Sequence, residues 1–161
     1  MQAEVAEELP GVSCVVTLDL GSTNNDVHPP RKVEVGERLA AAALKDVYGK
    51  DVAAGGPVIT GFRTKGSRGL VRFRNADGLR TTDGAAPVGF ELAGSDKKFA
   101  PATAEIKGKF VELQADGVKS PKYMRYGWAV FMTPNLVNEA GLPTAPCPAT
   151  DGKTGKKGKR R

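Results

Sequence analysis

One histidine, His28, and two cysteines, Cys14 and Cys147, are the only imidazole and thiol groups in 161 residues. That scarcity excludes a zinc site built from four His and Cys ligands, and the distance in sequence between the two cysteines argues against one built from three. No glycine-rich phosphate loop follows an apolar run, so neither a metal nor a cofactor is expected. Long hydrophobic runs are missing too: nothing approaches the roughly 18 apolar residues that span a bilayer, and no membrane partner is expected. No signal peptide precedes the first acidic residue, Glu4. The serines are Ser13, Ser22, Ser67, Ser95 and Ser120. None lies in a Gly-x-Ser-x-Gly or Gly-Asp-Ser turn after an apolar strand, the setting in which an esterase serine meets its oxyanion donors.

Charge of one sign is abundant only at one end. The net charge is +6, from 24 Lys and Arg against 18 Asp and Glu. Lys153, Lys156, Lys157, Lys159, Arg160 and Arg161 supply six of those cations, and without them the bases equal the acids. The body is thus neutral, and no specific nucleic-acid partner is expected. Residues 149–161 read as a disordered, solvated Gly/Lys-rich tail, with nonspecific polyanion binding as the lesser reading.

What the chain does contain is punctuation, 20 Gly and 11 Pro, dividing short apolar runs. Residues 2–9 read as the end of an amphipathic helix stopped by Pro10-Gly11. Val12 to Leu20, rich in β-branched residues, reads as a buried strand, with Cys14 as a buried free thiol inside it. A disulfide between Cys14 and Cys147 is disfavoured, since nothing places the two segments side by side. A polar loop from Gly21 leads to Pro29-Pro30, which opens a helix over Arg31–Tyr48. Its apolar face is Val35, Leu39, Ala42, Ala43 and Val47, and Gly49 suits the C-cap. Val52 to Pro57 is a linker or crossing segment. Beyond it come short strands at Val58–Thr64, Leu70–Arg74, Val88–Leu92, Ala102–Lys107, Phe110–Gln114 and Tyr123–Tyr126. Hairpin turns are expected at Gly66-Ser67 and Gly108-Lys109.

The chain therefore divides near residue 52. Residues 1–51 form an α/β remnant (helix, strand, loop, helix), 52–148 a mainly antiparallel β-sandwich, and the rest the tail. A single strand with two helices cannot cover both faces of a parallel-type sheet, so the first unit looks incomplete by itself.

His28 is the one residue with obvious proton-transfer chemistry. A neutral imidazole can take a proton from a serine hydroxyl while a carboxylate holds its tautomer and stabilises the imidazolium. Asp26 and Asp19 are the two candidate carboxylates, and spacing alone does not choose between them. The competing structural reading is that His28 only ties its loop to a backbone carbonyl while Asp26 caps a turn.

Several segments in order resemble a known family. Val16-Thr17-Leu18-Asp19-Leu20-Gly21, Asp26-Val27-His28-Pro29 and Val35-Gly36-Glu37-Arg38-Leu39-Ala40 are similar to the catalytic-histidine end of sialate O-acetylesterase-like proteins, carbohydrate esterases of the SGNH hydrolase type. The similarity continues through Gly55-Gly56-Pro57, Gly89-Phe90-Glu91-Leu92-Ala93-Gly94 and Val118-Lys119-Ser120-Pro121. Arg125-Tyr126-Gly127-Trp128 and Asn135-Leu136 to Gly141-Leu142-Pro143 complete it, so that it covers roughly residues 3–146. The resemblance implies a serine esterase that removes O-acetyl groups from sialic acids or from plant or bacterial glycans, often exported. Its SGNH domain would be followed by a β-sandwich region. His28 would be the base and Asp26 its acid, with Asp19 in reserve, since the usual acid position three residues before the histidine is Asn25 here. The family's Gly-Asp-Ser nucleophile and oxyanion-hole residues have no counterpart in this sequence, which is expected to be inactive alone. The alternative is a non-catalytic β-sandwich that contacts carbohydrate. Within it the Arg125–Trp128 stretch could stack on a sugar, although an aromatic pair at a strand end more commonly packs in a core or on its rim.

Overall fold

The computed structural model describes residues 2–21, 28, 30–129 and 132–152. Two helices come first: α1, Gln2–Glu8, and α2, Lys32–Asp46. Ten strands follow: β1 Val58–Lys65, β2 Arg68–Arg74, β3 Arg80–Thr81, β4 Phe90–Ala93, β5 Phe99–Pro101, β6 Thr103–Lys107, β7 Phe110–Gln114, β8 Tyr123–Tyr126, β9 Leu136–Val137 and β10 Cys147–Asp151. They form two four-stranded sheets, β1-β2-β7-β6 and β10-β8-β4-β5, and a small β3-β9 pair, with every strand pairing antiparallel.

The hairpins show how local chemistry sets register. Lys65 pairs with Arg68 and Lys107 with Phe110, each across a two-residue turn whose first residue is glycine. Gly66 and Gly108 both sit at φ +61, a left-handed backbone that turns the chain without splaying the strands. With the register set, alternation does the rest. Phe62, Val71, Val111 and Leu113 of one sheet meet Phe90, Leu92, Met124 and Tyr126 of the other in a single core. Burial at roughly 25 cal/mol per Å² of apolar surface is the main stabilising term of such a sandwich.

The glycine-proline crossing ahead of β1 is pinned, not loose. The Asn75 side chain donates to the carbonyls of Gly55 and Gly56, and Asn138 Nδ2 donates to Gly55 O at 3.1 Å. Ala145 N–H donates to Pro57 O at 2.9 Å. Backbone passes so close that a Cβ on Gly56 would lie 1.9 Å from the carbonyl oxygen of Pro143.

The helix-then-sandwich order matches the expected fold class, with three differences in the first unit and the tail. Residues 12–20 form no strand: Val12 is 41% exposed and Cys14 is exposed, not buried. A strand needs a neighbour to take its backbone N–H and C=O groups, and among the described residues no strand precedes β1 to serve as one. The apolar face expected on α2 is mostly uncovered: only Ala42 is buried, whereas Leu39 is 54% and Val47 74% exposed. Among the described residues, eight of the eleven exposed large hydrophobic residues lie between Val5 and Tyr48, so the described part of the first unit does not close a core of its own. Finally, β10 reaches Asp151, so that Thr150 and Asp151, expected in the tail, pair with Met124 and Tyr123 of β8. The thiols of Cys14 and Cys147 are both free.

Candidate functional site

Asp19 and Arg31, the two ends of the histidine loop, meet at its base. Arg31 Nη1 donates to Asp19 O at 3.4 Å, and its Nε donates to Glu34 in the first turn of α2 at 2.8 Å. One turn further along, Arg38 grips Asp19 with both prongs of its guanidinium: Nη1 donates to Oδ1 at 2.7 Å and Nη2 to Oδ2 at 2.6 Å. Nη1 also donates to the carbonyl of Val16 at 2.6 Å. The pair is partly buried, with 13% of the Arg38 and 22% of the Asp19 side chain exposed. Burial works to raise the Asp19 carboxyl, but the hydrogen bonds and charge of Arg38, aided by Arg31, outweigh it and hold the group below the usual aspartate value. Leu20, 1% exposed, seats the next residue in the protein.

The segment is thus tied to α2 on both sides of residues 22–27 by Asp19 and Arg31, and His28, three residues before Arg31, is exposed to solvent. Asp26, the first choice for the acid partner, lies outside the described residues, as does the whole run 22–27. Asp19, the reserve, is fully engaged by Arg38. Sequence reading left Arg38 without a role. The signal was there in its position: it falls three residues after Val35 and four before Ala42, on the inward side of α2.

No serine takes up a nucleophile's setting among the described residues. Ser13 Oγ donates to Asp46, Ser67 sits in the β1-β2 turn, and Ser95 and Ser120 lie in turns flanking β5 and β8. Nor do three or more His, Cys, Asp or Glu side chains gather closely enough there to hold a metal ion.

The four residues of the Arg125–Trp128 stretch take four different roles. Tyr126 is fully buried and tilts against Phe90, ring centroids 4.4 Å apart. Arg125 forks onto Glu91 at 2.7 and 2.8 Å and lies over the Phe99 ring at 4.2 Å. Gly127, at φ +63 and bonded to Gly89 O, packs beside Leu18 at the approach to the loop. Trp128 follows it, 52% exposed, and is the one residue of the four that presents an aromatic surface to solvent. Asn135 has a structural part: its side chain accepts from Val88 N–H at 2.9 Å and donates to Asp83 and to Ala86 O.

No family model and no curated protein matches this chain. Among solved structures it is similar to the crystal structure of a novel carbohydrate acetylesterase from Xanthomonas citri, with a TM-score of 0.76 and 37% sequence identity. The two share a fold. The match covers 83% of this chain but 31% of the esterase, so this chain spans about a third of that protein's length.

Proposed function

We propose that this chain supplies the histidine half of a carbohydrate O-acetylesterase site, of the sialate O-acetylesterase-like SGNH type, and that the serine nucleophile comes from protein outside this sequence. The observation that carries the reading is the 37% identity over 83% of the chain to a carbohydrate acetylesterase of which it spans 31%. The exposure of His28 close to the Asp19–Arg31 and Asp19–Arg38 contacts supports it. So does the engagement of Asp19 by Arg38, which favours Asp26 as the acid.

In this reading a serine hydroxyl gives its proton to His28 as the oxygen attacks the acetyl carbonyl. The tetrahedral intermediate collapses, His28 returns the proton to the departing sugar oxygen, and an acetyl-serine remains. Water, deprotonated by the same imidazole, then releases acetate and restores the serine. Asp26 holds the imidazole in the tautomer whose free nitrogen faces the serine. The substrate is an acetylated glycan, a sialic acid or a plant or bacterial polysaccharide. The family's exported members are the precedent for an exported protein.

The test has two arms. The chain alone is expected to hydrolyse 4-nitrophenyl acetate no faster than its His28→Ala variant. In a longer protein that also contains a Gly-Asp-Ser segment, His28→Ala is expected to lower kcat by about 10³-fold or more. Turnover by the chain alone that depends on His28 would sink the claim that the nucleophile is elsewhere, and a longer protein indifferent to His28→Ala would sink the catalytic role.

A further inference from the structure

The neutral total charge of the body hides an asymmetry on the outer face of the β1-β2-β7-β6 sheet. Alternation that buries Phe62, Val71 and Val111 turns Arg63, Lys65, Arg68, Arg72, Arg74 and Lys107 to the other side, with Glu105 and Glu112 as the acids among them. Arg68 is paired with Glu112 at 2.5 Å, Lys107 with Glu105, and Arg74 with Glu7 of α1 at 2.5 Å. The ion pairs among the described residues leave out Arg63, Lys65 and Arg72.

Register then lines up one row across all four strands. Gly61 pairs with Arg72, Arg72 with Phe110, and Phe110 with Lys107. Adjacent strands stand about 4.8 Å apart, so the row sets cation, aromatic ring and cation side by side. Arg72 lies 5.6 Å from the Phe110 ring centroid, and Phe110 remains 40% exposed, unusual for a phenylalanine in a sheet. At the β1 end, Gly61 leaves a notch, since a Cβ there would meet nothing within 4 Å. In the neighbouring row Arg63 pairs with Leu70 and Leu70 with Glu112. Together Arg63, Leu70, Arg72, Lys107, Phe110 and Glu112 line a shallow cleft of about 370 Å³.

We propose that this sheet face binds an acidic polysaccharide, a glycan whose rings carry uronate carboxylates. The guanidinium forks of Arg63 and Arg72 match a carboxylate with two parallel hydrogen bonds. Phe110 and Leu70 offer an apolar floor to the C–H face of a pyranose ring. Glu112, shared with Arg68, still has lone pairs that accept from sugar hydroxyls, and those donors, which a DNA phosphodiester backbone lacks, are the feature that separates a sugar acid from DNA. The site shares with the proposed function the choice of carbohydrate as ligand but makes no use of His28, so binding here and hydrolysis there fail independently.

The test is native gel electrophoresis of the full chain through gels containing polygalacturonate, hydroxyethylcellulose or single-stranded DNA. Polygalacturonate is expected to retard the protein most. The Arg63→Gln/Arg72→Gln double variant and Phe110→Ala are each expected to weaken that retardation on the order of tenfold. All three positions are exposed, and thermal unfolding confirms that the variants fold. A variant with its six tail cations changed to Gln is expected to keep most of the retardation. Equal retardation by DNA, indifference to the double variant or to Phe110→Ala, or loss of binding with the tail charges would each overturn the proposal.

Discussion

Arg38 holds Asp19 through two hydrogen bonds of 2.7 and 2.6 Å, and in doing so joins the middle of α2 to the start of the histidine loop. The same guanidinium reaches Val16 O, so one side chain organises both the approach to the loop and its first residue. Arg38 thereby fixes Val16 and Asp19, the residues that lead into the segment carrying His28, against α2.

Arg38→Met is expected to cost about 1–3 kcal/mol at pH 7, since it strands a partly buried carboxylate. The pH dependence follows from the lowered Asp19 value. A carboxyl whose folded value is depressed stabilises the protein above its ordinary value of 3.8 and loses that contribution as pH falls through the folded value. Urea unfolding at pH 7 and near pH 3 is expected to show the variant's deficit shrinking at the lower pH. A deficit of the same size at both would mean that Arg38 acts through packing and not through the ion pair.

Two glycines should respond in opposite directions to alanine. Gly56→Ala pushes a Cβ to within 1.9 Å of the backbone oxygen of Pro143, where neither chain can yield cheaply, and a loss of roughly 3 kcal/mol or more is expected. Gly36 lies inside α2 with open space where its Cβ would go, and alanine there is expected to stabilise by about 0.5–1 kcal/mol. Thermal unfolding of the pair reads both signs in one experiment.

The cysteines are expected to react at different rates with a disulfide reagent such as DTNB. Cys14 is exposed, whereas burial pushes the Cys147 thiol up to about 11, far from the thiolate form at neutral pH. One thiol should therefore titrate quickly at pH 8 in the native protein and both after denaturation. Two fast thiols in the native state would contradict the packing around β10.

Aromatic and aliphatic truncations should separate the core from the surface. Leu92, with no exposed area, is expected to cost about 2–5 kcal/mol when changed to alanine. Trp128→Ala is expected to stay within about 1 kcal/mol, because the indole is half exposed. As the single tryptophan of the chain, Trp128 also reports its own surroundings: its emission is expected near that of solvated indole. A blue-shifted emission would mean that another surface covers it.

Much of the β region was legible because its determinants are local. A glycine at the first position of a two-residue turn, flanked by alternating apolar residues, specifies a hairpin whatever surrounds it. The β1-β2 and β6-β7 pairs accordingly form where Gly66 and Gly108 place them. Residues 12–20 show the limit of that reasoning. Their β-branched composition permits a strand but cannot supply the partner that a strand requires, and without one Val12 and Cys14 stand in solvent. The same holds for the apolar residues of α2, whose spacing declares a buried face while the fold covers only Ala42.

The sequence by itself determined the two helices, the hairpin strands and their turns, the single candidate base at His28 and the lack of a nucleophile setting around any serine. Each of these depends on residue type and short spacing, which the chain carries without reference to anything distant. Only the tertiary structure decided that Asp19 belongs to Arg38, that Trp128 faces solvent while Tyr126 is buried, and that Arg72, Phe110 and Lys107 share a row. Those relationships join residues far apart in the chain. They are set by which strands pair in which register and by which helix face meets the sandwich, and spacing alone does not encode either.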